Sequence, residues 1–256
     1  MMRHRKILEF LIAFIILTSM AFSAGERLWL TTCPTQGCYG MTYNPTDNRM
    51  YYINATLRYI RIVTSDSLLT EYGTIPTPNN DSMCTDIKYC AYDNTFWVLN
   101  NMYKRVSKIN PSTGAVLRQF NSPAGDYPVG LAWDEVNRQL YMSDRRSSMG
   151  MPQLVYCCDT MGNVIQNMTA PAANYGIRCI AYRQQYGSVP AHLLAVYTFF
   201  NTSAGLDSAG VFELDPTDCS VVNFFRYLPA DTCNIRGVDV DPRNGNYWVG
   251  LYQYGT

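Results

Sequence analysis

Apolar residues along this chain come in short bursts separated by polar turns, and the bursts recur. Residues 129–144 show the unit most clearly: an apolar run ending in Trp133, a turn built on Asp134 and Asn137, and a second apolar run through Tyr141. Variants occur five times, aligned on Gly40, Tyr89, Gly130, Cys179 and Gly237. Three residues on stands a bulky side chain each time: Tyr43, Tyr92, Trp133, Tyr182 and Val240. The next position holds Asn44, Asp93, Asp134, Arg183 or Asp241, four of which are turn formers. The second run then centres on Tyr51, Trp97, Tyr141, Leu194 and Trp248.

Each of the first four copies continues with two further strand-like runs. The third covers 59–63, 106–109, 154–158 and 211–214; the fourth covers 68–72, 115–120, 164–168 and 221–225. Compact turns at 110–114, 159–162 and 215–219 join them, with Asx, Pro and Gly residues suited to a tight hairpin. A proline follows each fourth run (Pro76, Pro123, Pro171, Pro229) and ends the outer strand. Four antiparallel strands repeated every ~50 residues predict an all-β chain of β-propeller blades. The count is about four complete blades plus a partial fifth, in which 235–241 and 247–252 supply two strands. Residues 27–32 would add an outer strand to the last blade, and one would still be missing. The reading favoured on these grounds is a fragment of a six- to eight-bladed ring, because an open ring exposes strand edges that natural proteins protect.

The segments 130–134 (Gly-Leu-Ala-Trp-Asp) and 140–144 (Leu-Tyr-Met-Ser-Asp) resemble the inner strands of NHL and YVTN-type propellers. Residues 108–117 resemble their outer hairpin. The resemblance spans roughly residues 38–252 and implies a fold; propellers host binding, scaffolding and many chemistries, so it implies no particular function.

Charge adds little: twenty basic residues balance twenty acidic ones, which argues against a nucleic-acid partner. The N-terminus adds more. Arg3, Arg5 and Lys6 precede an apolar run at 10–17, and small residues follow at Ala21, Ser23 and Ala24. That order describes a secretory signal peptide over 1–23, with the propeller domain over 24–256 and incomplete at its C-terminus. No transmembrane span remains after its removal, and the expected location is secreted, periplasmic or cell-surface.

Nine cysteines in such a chain suggest disulfides. Cys33, Cys38, Cys84 and Cys233 fall where first strands begin, and Cys219 falls at the opposite end of a blade. A Cys219–Cys233 bridge is rejected because an outer strand of ten or so residues holds them ~30 Å apart. Cys33–Cys38 is the preferred pair. Cys84–Cys90 requires the chain to turn between them, and a Cys157–Cys158 bridge requires a distorted peptide. Zinc is disfavoured, since His4 and His192 are the only histidines and no Cys-x-x-Cys occurs.

Candidate chemistry gathers at the channel mouth that receives the loops between second and third strands. Asn54, Asn100, Asn101, Asp144, Arg145, Arg146 and Asn201 lead into those loops. Amides, a carboxylate and guanidiniums suit a small polar or anionic ligand, or weak Ca²⁺ coordination. Asp93, Asp134 and Asp241 read as turn residues, and Trp97, Trp133 and Trp248 as packing between blades. Enzyme signatures are thin: no Gly-x-Ser-x-Gly surrounds a serine. The chain is similar in fold to metal-dependent lactonases, whose Glu-Gly-Pro opening has no counterpart here. It is similar to propeller glutaminyl cyclases at Thr35-Gln36-Gly37, but a Tyr51-Tyr52-Ile53-Asn54 run replaces the glutamate they carry next. The expectation is therefore a binding or interaction module for a protein or a small polar ligand. The alternatives are a metal-dependent hydrolase or lyase working at the mouth, and a structural piece of a larger cell-surface protein.

Overall fold

The structure, a computed structural model, describes residues 38–54, 56–125, 127–145, 153–170, 176–201, 206–227 and 233–253. Four of its sheets have four antiparallel strands each, hydrogen-bonded in chain order. Blade 1 is β1 (Cys38–Asn44), β2 (Arg49–Asn54), β3 (Tyr59–Thr64) and β4 (Glu71–Pro76). Blade 2 is β5 (Cys84–Cys90), β6 (Thr95–Asn100), β7 (Arg105–Ile109) and β8 (Val116–Asn121). Blade 3 is β9 (Pro128–Asp134), β10 (Gln139–Asp144), β11 (Leu154–Cys158) and β12 (Val164–Thr169). Blade 4 is β13 (Gly176–Arg183), β14 (His192–Asn201), β15 (Leu206–Leu214) and β16 (Val221–Tyr227). A fifth sheet holds β17 (Cys233–Val240) and β18 (Tyr247–Gln253).

The first strand of every blade is innermost, and the apolar side chains form layers between neighbouring blades. Ile53, Ile60 and Ile75 of blade 1 meet Ile87, Phe96 and Val98 of blade 2. Trp97 and Leu99 meet Leu131, Trp133 and Met142 across the next seam. Tyr141 and Val155 meet Ile180 and Leu193, and Val196 and Val211 meet Ile235 and Val238. Trp248 of the fifth sheet packs on the blade 1 layer of Tyr43, Met50 and Tyr52, its ring 6.4 Å from that of Tyr43. This last seam closes the circuit of inner strands, for β17 lies directly against β1. The suggested closing strand at 27–32 lies outside the described residues, as do the signal segment, Thr35-Gln36-Gly37 and Arg146.

Strand pairing also corrects the alignment of the repeats. Thr42, Lys88, Ala132, Ala181 and Asp239 lie opposite Tyr51, Trp97, Tyr141, Leu194 and Trp248 respectively. The equivalents of Gly130 are therefore Gly40, Asp86, Cys179 and Gly237, so Tyr89 in the sequence alignment is three residues late. The bulky residue of blade 2 is Tyr89 rather than Tyr92. The slip arose because Cys90 stands where blades 1, 3 and 5 have Asx, while Asp93 and Asn94 finish the turn, Asn94 at a φ of 52°. The fourth run of blade 1 is likewise shifted from 68–72 to Glu71–Pro76. Asp66 Oδ1 accepts from Leu68 N and Thr64 Oγ1, and Thr64 N donates to Thr70 O, so the turn extends through Leu68.

The outer hairpins follow the expected turn chemistry. Asn110, Asp159 and Asp215 each accept backbone N–H groups within their own turns. Gly114 and Gly162 supply the left-handed residue, at φ of 72° and 89°. In blade 4 Cys219 takes that place at φ 61°, its buried sulfur 3.8 Å from Met168 Sδ. Cys219, Cys84, Cys90, Cys157 and Cys158 all carry free thiols. Cys84 and Cys90 are the two ends of the single strand β5, which keeps them apart. The Cys33–Cys38 pair has Cys33 outside the described residues; Cys38 is buried at the start of β1.

Candidate functional site

The inner strands begin at the mouth identified from the sequence, here called the upper mouth. Each begins with a bulge: the pairing register shifts at Gly40, Thr85, Val129, Arg178 and Arg236. Of the residues expected to hold a ligand there, several hold the protein instead. Asn54 Oδ1 accepts from Leu57 N at 3.0 Å. Asn100 accepts from Tyr103 N at 2.9 Å and donates to Ser82 O at 2.9 Å. Asp144 Oδ1 accepts from Tyr127 N at 2.7 Å, and Asn101 Nδ2 donates to Pro128 O at 2.7 Å. All four side chains are buried. Asn54 and Asn100 fix the loops leaving their second strands, while Asp144 and Asn101 hold the chain as it enters β9. Asn201 ends β14, but its side chain lies outside the described set.

Arg145 does stay at the mouth. It follows Asp144 out of β10, half-buried, its guanidinium carbon 6.0 Å from the ring centre of Tyr127. Its Nε lies 2.9 Å from the point where a Cβ on Gly176 would stand, so the side chain passes close over the start of blade 4. Two further arginines enter from the bulges of the next two blades, Arg178 on β13 and Arg236 on β17. Arg236 lies over the ring of Tyr39 at 5.4 Å. Their fields overlap. Burial depresses the proton affinity of Arg145; the neighbouring Tyr127 offsets this, and the charge of Arg236 adds to it. The Cys179 thiol, pushed up by burial, is pulled back by Lys88, Arg236 and Arg178. Three consecutive blades thus carry an arginine near the same end, Arg178 among them buried.

The inner strands are also tied together by a charged knot. Lys88 is 3% exposed, and its Nζ donates to Asp86 Oδ1 at 3.0 Å, Met41 O at 3.0 Å and Val238 O at 2.9 Å. Those acceptors belong to blades 2, 1 and 5, so one ammonium ties three inner strands. Asp86, fully buried, also accepts from Leu131 N of blade 3 at 2.8 Å. Burial raises the Asp86 carboxyl to about 7 against the pull of Lys88 and two backbone N–H groups. Asp239 is raised by burial as well; it accepts from Tyr43 N at 2.8 Å and Thr42 Oγ1 at 2.9 Å. Thr42 in turn accepts from Tyr89 N at 2.9 Å. Side chains of the inner strands therefore satisfy backbone N–H groups of the next blade around most of the ring.

Other reactive residue types have structural employment. His192 Nδ1 lies 2.5 Å from Arg183 Nη2 and 3.4 Å from Glu213 Oε2. Glu213 also takes Arg183 Nη1 at 2.9 Å and the Tyr247 hydroxyl, which clasps blade 4 to the fifth sheet. Burial pushes the thiols of Cys84, Cys90 and Cys158 up to about 12, far from the thiolate that nucleophilic chemistry requires. Asp93, Asp134 and Asp241 are turn residues as expected: Asp134 Oδ1 accepts from Val136 N at 2.9 Å and Asp241 Oδ1 from Arg243 N at 2.9 Å. The donor set at the mouth also fits Ca²⁺ poorly. Its described carboxylate, Asp144, already receives Tyr127 N, and the surrounding charges are positive.

Sequence reasoning reached Arg145 and missed Arg178, Arg236 and Lys88. A usable signal existed. Each is a cation inside an inner strand: Lys88 stands where blades 3 and 4 have Ala132 and Ala181, and Arg178 and Arg236 stand at the bulge where blades 1 to 3 have Gly40, Thr85 and Val129.

No protein-family model matches the sequence, and no curated protein matches it. Solved structures do match in shape. A glutaminyl cyclase of Myxococcus xanthus superposes with a TM-score of 0.58 at 12% identity, covering 87% of this chain and 88% of that one. A chain from a nidogen/laminin complex gives 0.56 at 14% identity, covering 85% and 73%. The chain has the β-propeller fold. The hydrazine synthase of Kuenenia stuttgartiensis gives 0.52 at 15% identity, covering 84% of this propeller but only 61% of that chain. These neighbours include both enzymes and a partner in a protein complex, and at such identities they share the fold alone. The resemblance to NHL and YVTN-type propellers holds at that level.

Proposed function

We propose that this propeller is a binding module outside the cytoplasm that takes a small anionic ligand at its upper mouth. The observation that carries this reading is the placement of Arg145, Arg178 and Arg236 at one end of three successive blades, where the charge of Arg236 acts on Arg145. Guanidiniums offer paired N–H donors matched to carboxylate and phosphate oxygens, and partial burial strengthens such bonds. The N-terminal signal pattern supports the location, and no helix among the described residues is long and apolar enough to cross a membrane.

Isothermal titration of the full chain with citrate and with inorganic phosphate tests the reading, glucose serving as the uncharged probe. Saturable binding of an anion that falls about tenfold in Arg145→Gln and in Arg236→Gln is the expected result. Binding of glucose alone, or anion binding indifferent to both substitutions, would remove its basis.

A further inference from the structure

On the opposite face, where first strands turn into second strands, a cavity of about 290 Å³ opens between blades 2 and 3. A counterpart of about 320 Å³ lies between blades 1 and 2. The fold makes both: neighbouring twisted sheets splay apart toward the rim and leave a groove between their hairpins. Their linings differ. The blade 1/2 groove carries one acid and one base, Asp47 and Arg49, 3.9 Å apart. The blade 2/3 groove carries Lys108, Arg118 and Arg138 against the single carboxylate of Asp93.

That excess is specific to Arg118 and Arg138. Lys108 is paired with Asp93. Arg118, exposed on β8, makes one long bond from Nη1 to Thr160 O at 3.4 Å. Arg138 lies over the exposed Tyr92 ring, its carbon 3.7 Å from the centroid. A guanidinium resting over a ring, with five N–H donors, keeps donors for an acceptor. The nearby Glu135 is engaged, with Oε2 accepting from Trp133 Nε1 at 2.6 Å and from Ala91 N at 3.0 Å. Apart from Thr160 the rest of the wall is apolar, with Trp133 and Cys90 buried behind and Leu117 57% exposed at the side.

We infer that the blade 2/3 groove is a second binding site, for an organic oxyanion built on a flat ring. Arg118 and Arg138 take the oxygens, while the ring lies against Leu117 and Trp133. The groove lies at the opposite end of the blades from the mouth and stands independently of any ligand there.

Phenyl phosphate is the probe, with inorganic phosphate supplying the charge alone and phenol the ring alone. Titrations of the full chain are followed by calorimetry and by the methyl resonances of Leu117. Saturable binding that shifts Leu117 is expected, weakened about tenfold by either Arg118→Gln or Arg138→Gln and unchanged by Arg49→Gln or Arg236→Gln. Both arginines lie on the surface, so these variants keep the fold. Phosphate and phenol should each bind at least about tenfold more weakly than the combined probe. The inference fails if Leu117 does not respond, if inorganic phosphate binds as tightly as phenyl phosphate, or if only Arg236→Gln weakens binding. The last result would place the probe at the mouth and leave the first proposal standing.

Discussion

Lys88 occupies a position that blades 3 and 4 fill with Ala132 and Ala181. A lysine is tolerated there because each of its three N–H groups finds an oxygen: one carboxylate and two carbonyls. Removing the ammonium while leaving Asp86 would strand a buried carboxylate. Lys88→Met should therefore cost about 3–5 kcal/mol in chemical denaturation. The double variant with Asp86→Asn should recover a measurable part, because the uncompensated charge disappears while one acceptor remains. A single variant indistinguishable from the parent would show that the knot contributes nothing to stability. At this scale the sequence was legible where local geometry dictates the residue. Asp134 and Asp241 could be read as turn residues because an Asx side chain bonds N–H groups two positions on. Lys88 could not, since its acceptors lie on strands 47 and 150 residues away.

Among the elements, the innermost strands are the most constrained. Gly40 sits at φ 28°, and a Cβ there would lie 2.3 Å from Asp86 Cα, a backbone atom that cannot swing aside. Gly40→Ala should accordingly cost roughly 2–4 kcal/mol through strain and forced separation of β1 from β5. Gly187 makes a fair comparison: its φ is 58° but a Cβ would meet nothing within 4 Å. Alanine there should cost only about 1 kcal/mol. Equal losses of denaturation midpoint in the two variants would contradict the close approach of inner strands. The run pattern alone located most strands, because side chains alternate and turns carry Asx, Pro and Gly. It misplaced β4 and the register of β5, where Leu68 joins a turn despite being apolar and Cys90 replaces the usual turn former. Such slips arise when hydrophobicity and turn chemistry disagree over three residues, and only cross-strand pairing decides between them.

The whole ring depends on the seam between the fifth sheet and blade 1. Asp239 receives Tyr43 N and Thr42 Oγ1 there. Asp239→Ala should open that seam locally, speeding amide exchange at Tyr43 by about tenfold while the Leu131 amide, held by Asp86, keeps its protection. Uniform acceleration would instead indicate global destabilisation. Stability should also vary with pH in two opposite ways. Asp93 and Asp241 are lowered: burial works against their ionisation, but bonds from Lys108 and Arg243 outweigh it. Their contribution is present above the ordinary carboxylate range and is lost as pH falls through their folded values. Asp86 is raised by burial to about 7, so its contribution is complete below the ordinary carboxylate value and is lost as pH rises through about 7. Melting temperature should therefore peak in mildly acidic buffer and decline across neutrality. A plateau from pH 5 to 8 would assign no such role to Asp86.

The sequence by itself determined the strand repeat, the turns, the apolar layers between blades and the all-β class. These follow from side-chain alternation and turn chemistry within a few residues of chain. Only the tertiary structure decided that five inner strands close on one another, because closure is a contact between β1 and β17 at opposite ends of the described chain. It alone showed that Asn54, Asn100 and Asp144 hold loops, since their partners lie in neighbouring turns. It brought Arg145, Arg178 and Arg236 to one mouth and set Arg118 and Arg138 across one groove. Charges separated by tens of residues become a site only when the blades stack, and the repeat that builds the stack says nothing about which blade will carry them.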